Sequence, residues 1–584
     1  EIVAELGEKY LMDRLNPEEK TILDEFLTHG RAIRDEREKA AAESRDADVI
    51  SLCRQWGGST LVYRKRMQDA PAYRLNHEEI IKALEEGITY VDCMDPREAV
   101  TDDYGSLKAI RFEKMTDCGG GEWKPGGEIA ELPARSVLVA AGTSPNVIYE
   151  KEQPGRLELD AKGRFFKGYK WVDGKLEPAQ QTPADQGFFT SYHKDGHLIS
   201  FYGDNHPVYA GSVVKAVASG KYGAQAVRGV FAPELARLSA ADQPKRDADW
   251  KALVARLDDQ LKVIVKEVIR LTPTIIEVVV RAPQAARNFK PGMFYRFQNY
   301  ESNSVVVDGK RLQMEGIALT GAWVDKDKGL LSVIALELGL SSRLCGFLKP
   351  GEEVVAMGPT GFPSEVCGGE NVLLFGGGLG NAVLFSIARA MKDAGSKVLY
   401  VAGYKNPQDL FHRADIEAAC DQVIWAVDVD PAIPAQRPQD RSFVGNIVQA
   451  TVAYAKGELG AQLFPLTETN RILAIGSDRM MAAVKNARYG ALKEYINPNH
   501  EAIASINSPM QCMMKEVCAQ CLQRHVDPVT GKEKYVFTCF NQDQHMDHVD
   551  WKHLNERLRQ NTTQEKLANV WFDAIIKRHN LQHV

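Results

Sequence analysis

Four cysteines near the C-terminal end have a spacing that suits metal ligation: Cys512, Cys518, Cys521 and Cys539. Four thiolates can hold a 2Fe-2S cluster, and they can equally hold a tetrahedral structural zinc. We favour the cluster, because a nucleotide-type glycine segment precedes the cysteines and would give a cluster something to exchange electrons with. Four unrelated core thiols are the third interpretation.

The glycine segment is Gly376-Gly377-Gly378-Leu379-Gly380-Asn381, and it follows the apolar run Val372–Phe375. Glycines at the end of a strand let backbone N–H groups approach a pyrophosphate at the start of the next helix. Two further predicted strands end at Gly403-Tyr404 and at Gly476-Ser477-Asp478. We expect the three strand ends at one edge of a parallel sheet, where such sheets bind ligands. A tight connection without a ligand is the alternative.

Residues from Lys262 to about Pro363 alternate short apolar strands, such as Lys262–Val265 and Thr274–Val280, with turns rich in glycine and proline. This pattern predicts an antiparallel barrel. A barrel, a Gly-Gly-Gly-x-Gly sheet, a Gly-x-x-x-Met-Met turn and then a cysteine cluster resemble the ferredoxin-reductase-like family, and most closely the electron-transfer subunit of dihydroorotate dehydrogenase. The resemblance covers about residues 258–545, and it implies FAD in the barrel, NAD(P) in the second domain and a 2Fe-2S cluster on the cysteines.

The sequence departs from that family in its barrel. The family's strand usually carries an Arg-x-Tyr-Ser stretch that contacts the flavin and its phosphate. The corresponding strand here is Glu315–Thr320, which has no arginine; Thr320 is kept as a cofactor-binding candidate. Amides, hydroxyls and one guanidinium of Gly339-Leu340-Ser341-Ser342-Arg343 could replace the lost charge. An ordinary capped helix is the alternative for that segment.

The cysteine spacing is a second departure. It is C-x5-C-x2-C-x17-C in this chain, whereas plant-type clusters use C-x4-C-x2-C and a distant fourth cysteine. The loop Met513–Val517, between the first two cysteines, contains no glycine. The binding loop is therefore expected to differ from that of the family.

The first half has cofactor candidates of its own. Gly203 and Asp204 stand at a predicted strand end, and Gly211 stands at the start of an apolar helix. A carboxylate there can accept hydrogen bonds from a ribose or ribityl hydroxyl, while the helix N-terminus stabilises negative charge on a reduced flavin. Upstream, the apolar run Ser136–Ala141 predicts a strand that leads into a turn at Gly142.

Two arginines, Arg64 and Arg66, follow the predicted buried strand Ser59–Tyr63. With the preceding motifs they resemble the small subunit of glutamate synthase and its pyridine nucleotide-disulfide oxidoreductase relatives, in which arginines after Val-Tyr meet the NADPH 2′-phosphate. A solvated basic patch is the alternative. Those relatives begin with a Gly-x-Gly-x-x-Gly fingerprint for FAD. No such fingerprint precedes Ser59, so residues 1–240 resemble the tail of such a module.

The fold class we predict is a multi-domain α/β protein. Its parts are a partial, glutamate synthase small subunit-like dinucleotide-binding α/β domain (1–240), an antiparallel flavin-type β-barrel (250–365), a doubly wound NAD(P)-binding α/β domain (366–500) and a small cysteine-rich metal segment with a C-terminal helix (505–584). Leu238–Asp249 is predicted to be a linker, and about the first 50 residues a charged helix.

Composition excludes several classes of protein. A net charge of −6, from 72 basic and 78 acidic residues, provides no polycationic surface for nucleic acid. No apolar run is long enough for a membrane span, and no signal sequence is recognisable, so we expect a cytoplasmic protein that does not bind membranes. The six remaining cysteines are scattered, as is typical of reduced thiols.

These observations predict an NAD(P)H-dependent oxidoreductase that passes electrons between nicotinamide, FAD and a 2Fe-2S cluster to ferredoxin or a partner subunit, as part of a multi-subunit complex. No side-chain catalytic residue is assigned, because the cofactors perform the chemistry. The resemblance to fused transhydrogenases also raises flavin-based electron bifurcation. The alternative is a non-catalytic adaptor subunit that holds zinc and docks onto a larger redox enzyme.

Overall fold

The computed structural model describes residues 2–140, 142, 144–507 and 510–584. The chain divides into two compact units, residues 15–245 on the one hand and residues 2–14 together with 246–584 on the other. Two short N-terminal helices, α1 (Ile2–Leu6) and α2 (Glu8–Met12), therefore belong with the C-terminal unit and not with the predicted domain 1–240. Within the described ranges, no helix is long and apolar enough to cross a membrane.

The unit 15–245 combines helices with small sheets. Its helices are α3 (Pro17–Ala42), α4 (Val49–Gln55), α5 (Pro71–Glu85), α6 (Ile148–Glu152), α7 (Val213–Val230) and α8 (Ala232–Leu235). Its strands are β1 (Thr60–Val62), β2 (Thr89–Val91), β3 (Met94–Thr101), β4 (Leu107–Asp117), β5 (Trp123–Pro133), β6 (Tyr169–Val172), β7 (Lys175–Pro178), β8 (Phe189–Lys194) and β9 (His197–Ser200). β1 and β2 pair in parallel on either side of α5, a single βαβ unit. The other sheets, β3-β4-β5 and β7-β6-β8-β9, are antiparallel.

The predicted strand Ser136–Ala141 is wrong. Residues 136–140 have no regular secondary structure, and Leu138 and Val139 are 93% and 85% exposed; Ala141 and Thr143 lie outside the described residues. An apolar run becomes a strand only where a neighbouring strand satisfies its backbone groups, and none of the described strands pairs with this run. The predicted strand Ser59–Tyr63 does form as β1, but Leu61 is exposed and not buried as expected.

The predicted linker Leu238–Asp249 contains the boundary between the two units, and most of it is helical. Helix α9 (Gln243–Leu261) starts within it and carries the chain across the boundary between the two units. Pro244 lies in the first turn of α9, where a missing N–H costs no intrahelical hydrogen bond.

The predicted antiparallel barrel forms and is closed. Its strands follow the order β10-β11-β16-β15-β12-β17. The elements from 263 to 360 are β10 (Val263–Thr272), β11 (Ile275–Arg281), α10 (Pro283–Asn288), β12 (Phe294–Asn299), β13 (Val306–Val307), β14 (Lys310–Arg311), β15 (Ile317–Asp325), β16 (Leu330–Leu336), α11 (Leu340–Leu344) and β17 (Glu353–Thr360). Inward side chains such as Val265, Val278, Tyr295, Phe297 and Val333 fill its core.

A doubly wound sheet follows, as predicted. Its parallel strands are β18 (Asn371–Gly377), β19 (Lys397–Tyr404), β20 (Gln422–Val427), β21 (Arg441–Val444), β22 (Arg471–Ile475) and β23 (Glu501–Ser505), in the order β21-β20-β19-β18-β22-β23. Its helices are α12 (Asn381–Asp393), α13 (Arg413–Ala419), α14 (Ile447–Ala455) and α15 (Asp478–Tyr489). Barrel residues Ala322 and Ile334 share one hydrophobic cluster with Leu384 and Tyr400 of this domain, so barrel and sheet pack as one body.

The cysteine segment is not a separate domain. After the hairpin β24 (Leu522–Val526) and β25 (Glu533–Phe537), strand β26 (Asp543–His545) joins the sheet antiparallel to β23. Helices α16 (Trp551–Leu558) and α17 (Thr562–His579) complete the chain. The predicted helix Gln564–Arg578 is confirmed as α17, and its Phe572 and Ile575 pack into the barrel core.

Candidate functional site

The glycine segment lies where the sequence placed it, between a strand and a helix. β18 ends at Gly377, a 3-10 turn spans Gly378–Gly380, and α12 begins at Asn381. β18, β19 and β22 are parallel neighbours, so their carboxyl ends meet at one edge, as predicted. A backbone turn that opens a helix at such an edge can bind an anionic group through its N–H groups.

The glycines of this turn differ in what an added side chain would contact. A Cβ on Gly376 would overlap the Asn381 side chain, and a Cβ on Gly380 would overlap the Ile475 carbonyl group. These glycines are needed for close packing, whereas a Cβ on Gly377 would lie 2.9 Å from Met480 Cε, the flexible end of a side chain that can move away. At Gly378 nothing lies within 4 Å, and its φ is +53°. Gly378 therefore meets no packing constraint: its positive φ favours glycine, and the space above it is open.

Asn381 positions the loop and is fully buried. Its Nδ2 donates to the carbonyl oxygen of Gly378 at 3.0 Å, and its Oδ1 accepts from the Tyr400 hydroxyl at 3.0 Å. It was predicted as a cofactor-binding residue, but its polar atoms are engaged within the protein. Asp478 starts α15 at the same edge, and Asn555 Nδ2 donates to its Oδ2 at 2.6 Å.

Two of the candidate residues of the barrel domain, Thr320 and Ser341, lie in β15 and α11. Thr320 pairs with Phe294 across these strands, and its Oγ1 accepts from Asn507 Nδ2 at 3.4 Å. Asn507 follows β23, so this contact links the barrel to the edge of the nucleotide-type sheet. Ser341 Oγ accepts from the Glu315 N–H at 3.0 Å, next to the strand that lacks the arginine.

Arg343 was expected to face a phosphate, but helix α17 engages it. Its Nη2 lies 2.5 Å from Asp573 Oδ1, its Nη1 donates to Asn569 Oδ1 at 3.2 Å, and its guanidinium lies 4.8 Å from the Phe572 ring centroid. Ser342 is also engaged, because its Oγ donates to the Gly339 carbonyl oxygen at 2.9 Å. The alternative of an ordinary capped helix describes these two residues better.

Cys512, Cys518 and Cys521 lie in the loop before β24, here called the cysteine loop (512–521), and Cys539 follows β25; amides of this loop point at sulfur. The N–H groups of Met514, Glu516 and Gln520 donate to the Sγ atoms of Cys512, Cys539 and Cys518, each at 3.4 Å. Cys521 and Cys539 are buried, whereas Cys518 is exposed. A hydrogen bond from the Cys539 thiol lowers the pKa of Cys521 and raises the pKa of Cys539, which favours a thiolate on Cys521. The loop therefore stabilises negative charge on sulfur.

The backbone of this loop is strained. Met513, Lys515, Glu516 and Ala519 all have positive φ, between 55° and 63°. Non-glycine residues in this region cost about 1–2 kcal/mol each. The loop thus follows, without glycine, a path that usually needs glycine, which explains how a glycine-free segment can still turn its N–H groups inward. Such outliers cluster at functional sites.

In the described part of the chain, no group of three or more His, Cys, Asp or Glu side chains stands in an arrangement ready to hold a metal ion. The fit of a cluster therefore rests on the donor set, four thiols with amides directed at three of them. Two of these thiols also pack against the barrel, because Phe294 and Ala318 form one hydrophobic core with Met513, Cys521 and Cys539. The sequence analysis did not identify Phe294. The sequence shows which residues flank it, but not that its side chain points out of the barrel towards the cysteines.

In the unit 15–245, the candidate turn and helix start come together. Asp204 Oδ1 accepts from the Gly211 N–H at 3.0 Å, two residues before α7 begins. Asn205 Oδ1 accepts from the Asn146 N–H at 3.1 Å, so the segment after Gly142 reaches the same turn. Gly142, Gly203 and Gly211 have φ values of +91°, +68° and +91°, which is why glycine is required at these positions.

The two arginines after β1 differ in their surroundings. Arg66 is held by Asp69 at 3.0 Å and by Asp117 at 3.4 Å. Arg64 is exposed and forms no ion pair with the described residues. Both follow the carboxyl end of a parallel strand, but only Arg64 has a free guanidinium for an added phosphate.

No family model matches the sequence. Over 97% of its length the chain is 26% identical to an uncharacterised protein of Rickettsia prowazekii, RP006, of which it spans 63%. Over 29% of its length it is 28% identical to a dihydroorotate dehydrogenase B electron-transfer subunit homolog of Thermotoga maritima, and spans 56% of it. Over 16% it is 31% identical to the corresponding electron-transfer subunit of Bacillus caldolyticus, and spans 38% of it.

Two solved structures align with part of this chain. One is an NADH-dependent reduced ferredoxin-NADP oxidoreductase, solved to study flavin-based electron bifurcation. It is 22% identical with a TM-score of 0.43, and the alignment covers 53% of this chain and 98% of the oxidoreductase chain. A ferredoxin NADP+ reductase of Neisseria gonorrhoeae is 19% identical with a TM-score of 0.30, covering 40% and 90%. The assignment of barrel and sheet here rests on the strand order itself. The likeness of the first half to the glutamate synthase small subunit stays a prediction.

Proposed function

We propose that this chain is an NAD(P)H-dependent electron-transfer oxidoreductase that connects nicotinamide, FAD and a 2Fe-2S cluster to ferredoxin or a partner subunit. One observation carries the proposal: within a single compact unit, the barrel contacts both the cysteine loop and the domain that carries the glycine turn. The barrel residue Phe294 packs against Cys521 and Cys539. The barrel residue Thr320 accepts a hydrogen bond from Asn507, which follows β23 of the nucleotide-type sheet.

This arrangement suits electron transfer because the three candidate sites need no long-range motion to communicate. The barrel touches the cysteine loop a second time, through Thr360 Oγ1, which donates to the Met513 carbonyl oxygen at 3.2 Å. FAD would supply the conversion between hydride transfer and single-electron transfer. The residues of the chain bind, orient and shield the cofactors: the Gly378 turn holds phosphate, the barrel face holds the flavin, and the cysteine loop holds the cluster.

The unit 15–245 adds a second flavin-binding candidate to this proposal. Its support is the Asp204–Gly211 turn at the start of α7, while the exposed Arg64 after β1 remains the candidate for an NADPH 2′-phosphate. Two flavins in one chain would also suit electron bifurcation. The partner of such a chain is another redox subunit or ferredoxin.

The test is the visible spectrum and metal content of anaerobically purified protein. We expect flavin absorption and about two irons with matching acid-labile sulfide per chain. Cys521→Ser should remove the iron, while Cys118→Ser, at an exposed cysteine far along the chain, should leave it unchanged. Stoichiometric zinc without iron or flavin would favour the adaptor function instead.

A further inference from the structure

An arginine that the sequence did not single out lies on the outer face of the barrel. Arg296 is in β12 between Tyr295 and Phe297, both fully buried in the barrel core. Because side chains alternate along a strand, Arg296 points outward, on the same face as Phe294. It pairs with Ala318 across to β15, and Ala318 packs against the cluster that contains Cys521 and Cys539.

The guanidinium of Arg296 occupies the space above Gly316. A Cβ on Gly316 would overlap the Arg296 Cζ, Nε and Nη2 atoms. Gly316 belongs to the segment Glu315–Thr320, the strand on which a phosphate-binding arginine was expected and is missing. The positive charge of Arg296, a residue of the neighbouring strand β12, therefore lies next to this segment. The absence of a side chain at Gly316 leaves space for the guanidinium.

This guanidinium is not neutralised by the protein. Its Nη1 donates to Gln298 Oε1 at 2.5 Å and lies 4.0 Å from Met357 Sδ. None of the described carboxylates forms an ion pair with Arg296, in contrast to Arg343, which Asp573 engages. A half-buried guanidinium without a counter-ion is stabilised by a bound anion, and its planar fork matches a phosphate group.

We propose that Arg296 binds a phosphate group of the flavin in the barrel and so replaces the arginine that Glu315–Thr320 lacks. The inference rests on the proposed function, because it assumes that the barrel holds flavin. It predicts that affinity for FAD and FMN, which carry phosphate, depends on Arg296, whereas affinity for riboflavin, which carries none, does not.

The experiment is a fluorescence titration of the flavin-free full chain with FAD, FMN and riboflavin. Arg296→Gln should weaken FAD and FMN binding roughly 10- to 100-fold, as expected for a lost charged hydrogen bond, and leave riboflavin binding unchanged. Arg296→Lys should give a smaller loss. The control is Arg311→Gln, which removes an exposed guanidinium on β14 of the same domain that pairs with Glu301; its affinities should equal those of the wild type.

Gly316→Ala provides a second, independent variant. Its methyl group displaces the guanidinium but keeps the charge, so it should also weaken FAD binding, and it should have no further effect in the Arg296→Gln background. Unfolding temperatures without flavin check that every variant is folded. Flavin bound in the unit 15–245 would be equally present in all variants and cancels in the comparison.

Other results would overturn the inference in distinguishable ways. If the wild type binds flavin and Arg296→Gln binds FAD equally well, Arg296 is not a phosphate ligand and the proposed function survives. If the variant loses riboflavin and FAD to the same extent, Arg296 has a structural role only. If the wild-type chain binds no flavin at all, the inference and the proposed function fail together.

Discussion

His412 Nε2 lies 3.2 Å from Glu277 Oε2 and thereby joins the nucleotide-type domain to the barrel. Glu277 is buried in β11, where Trp323 Nε1 donates to Oε1 at 2.7 Å and Ser332 Oγ at 2.5 Å. The other ring nitrogen of His412, Nδ1, is 2.7 Å from Asp415 Oδ2. The ring thus lies between two carboxylates at the boundary of two domains.

The first prediction concerns the pH dependence of this contact. Burial lowers the pKa of His412, but the hydrogen bonds to Glu277 and Asp415 outweigh it, and the net result is a raised pKa. Burial raises the pKa of Glu277, but His412, Ser332 and Trp323 together lower it. The stabilisation from His412 is therefore complete below its ordinary pKa of 6.5 and is lost as the pH rises through the raised value. The stabilisation from Glu277 is complete above its ordinary pKa of 4.5 and is lost as the pH falls through the lowered value.

Urea unfolding between pH 5 and 9 measures this effect. The wild type should lose stability towards pH 9, and His412→Gln should show a weaker dependence. At pH 6 the variant should be about 3 kcal/mol less stable, because it leaves a buried carboxylate without its charged partner. Parallel curves for the two proteins would show that His412 does not titrate in this contact.

The second prediction separates the ligand role of the glycine turn from its packing role. Gly378→Ala should impair NAD(P)H-dependent reduction at least tenfold, because its methyl group enters the space above the turn. Gly395→Ala is the matched control: it has φ +90°, likewise with nothing within 4 Å, but lies beyond the other end of α12. Both changes should cost about 1 kcal/mol of stability, the penalty for alanine at positive φ. Equal reduction rates in both variants would place nucleotide binding elsewhere.

The third prediction concerns the turn at Asp204. Asp204→Ala removes the acceptor for the Gly211 N–H and should lower FAD retention by the unit 15–245, whereas Asp204→Asn can still accept this bond and tests the charge alone. Asp103→Ala changes an exposed aspartate of the same unit and should have no effect. Flavin content after gel filtration is the measurement. Unchanged flavin in Asp204→Ala would mean that the site is misplaced.

The fourth prediction tests strain in the cysteine loop. Ala519 has φ +60°, so Ala519→Gly should stabilise the C-terminal unit by about 1 kcal/mol, whereas Ala519→Val should destabilise it. Differential scanning calorimetry gives both values under one condition. If glycine destabilises the loop as valine does, the left-handed conformation is not the dominant cost there.

The sequence by itself was enough for the elements whose signal is local. The run Val372–Phe375 and the glycines directly after it predicted β18, the turn and α12, because strand, turn and helix start are encoded within about ten consecutive residues. The alternating runs from Lys262 predicted the strands of the barrel for the same reason. The spacing of the four cysteines predicted a common site, and the hairpin of β24 and β25 places Cys521 beside Cys539.

Tertiary structure decided the questions that depend on residues far apart in the chain. Helix α17 engages Arg343, some 230 residues earlier, so the guanidinium expected at a phosphate is removed from it. Arg296 reaches the space above Gly316 from a neighbouring strand, a contact that only strand pairing can create. The apolar run at Leu138 fails to form a strand because none of the described strands pairs with it. The periodic pattern of apolar residues, and so the buried face of a helix or strand, can be predicted from a sequence. Which segment packs against that face is decided only when distant parts of the chain come together.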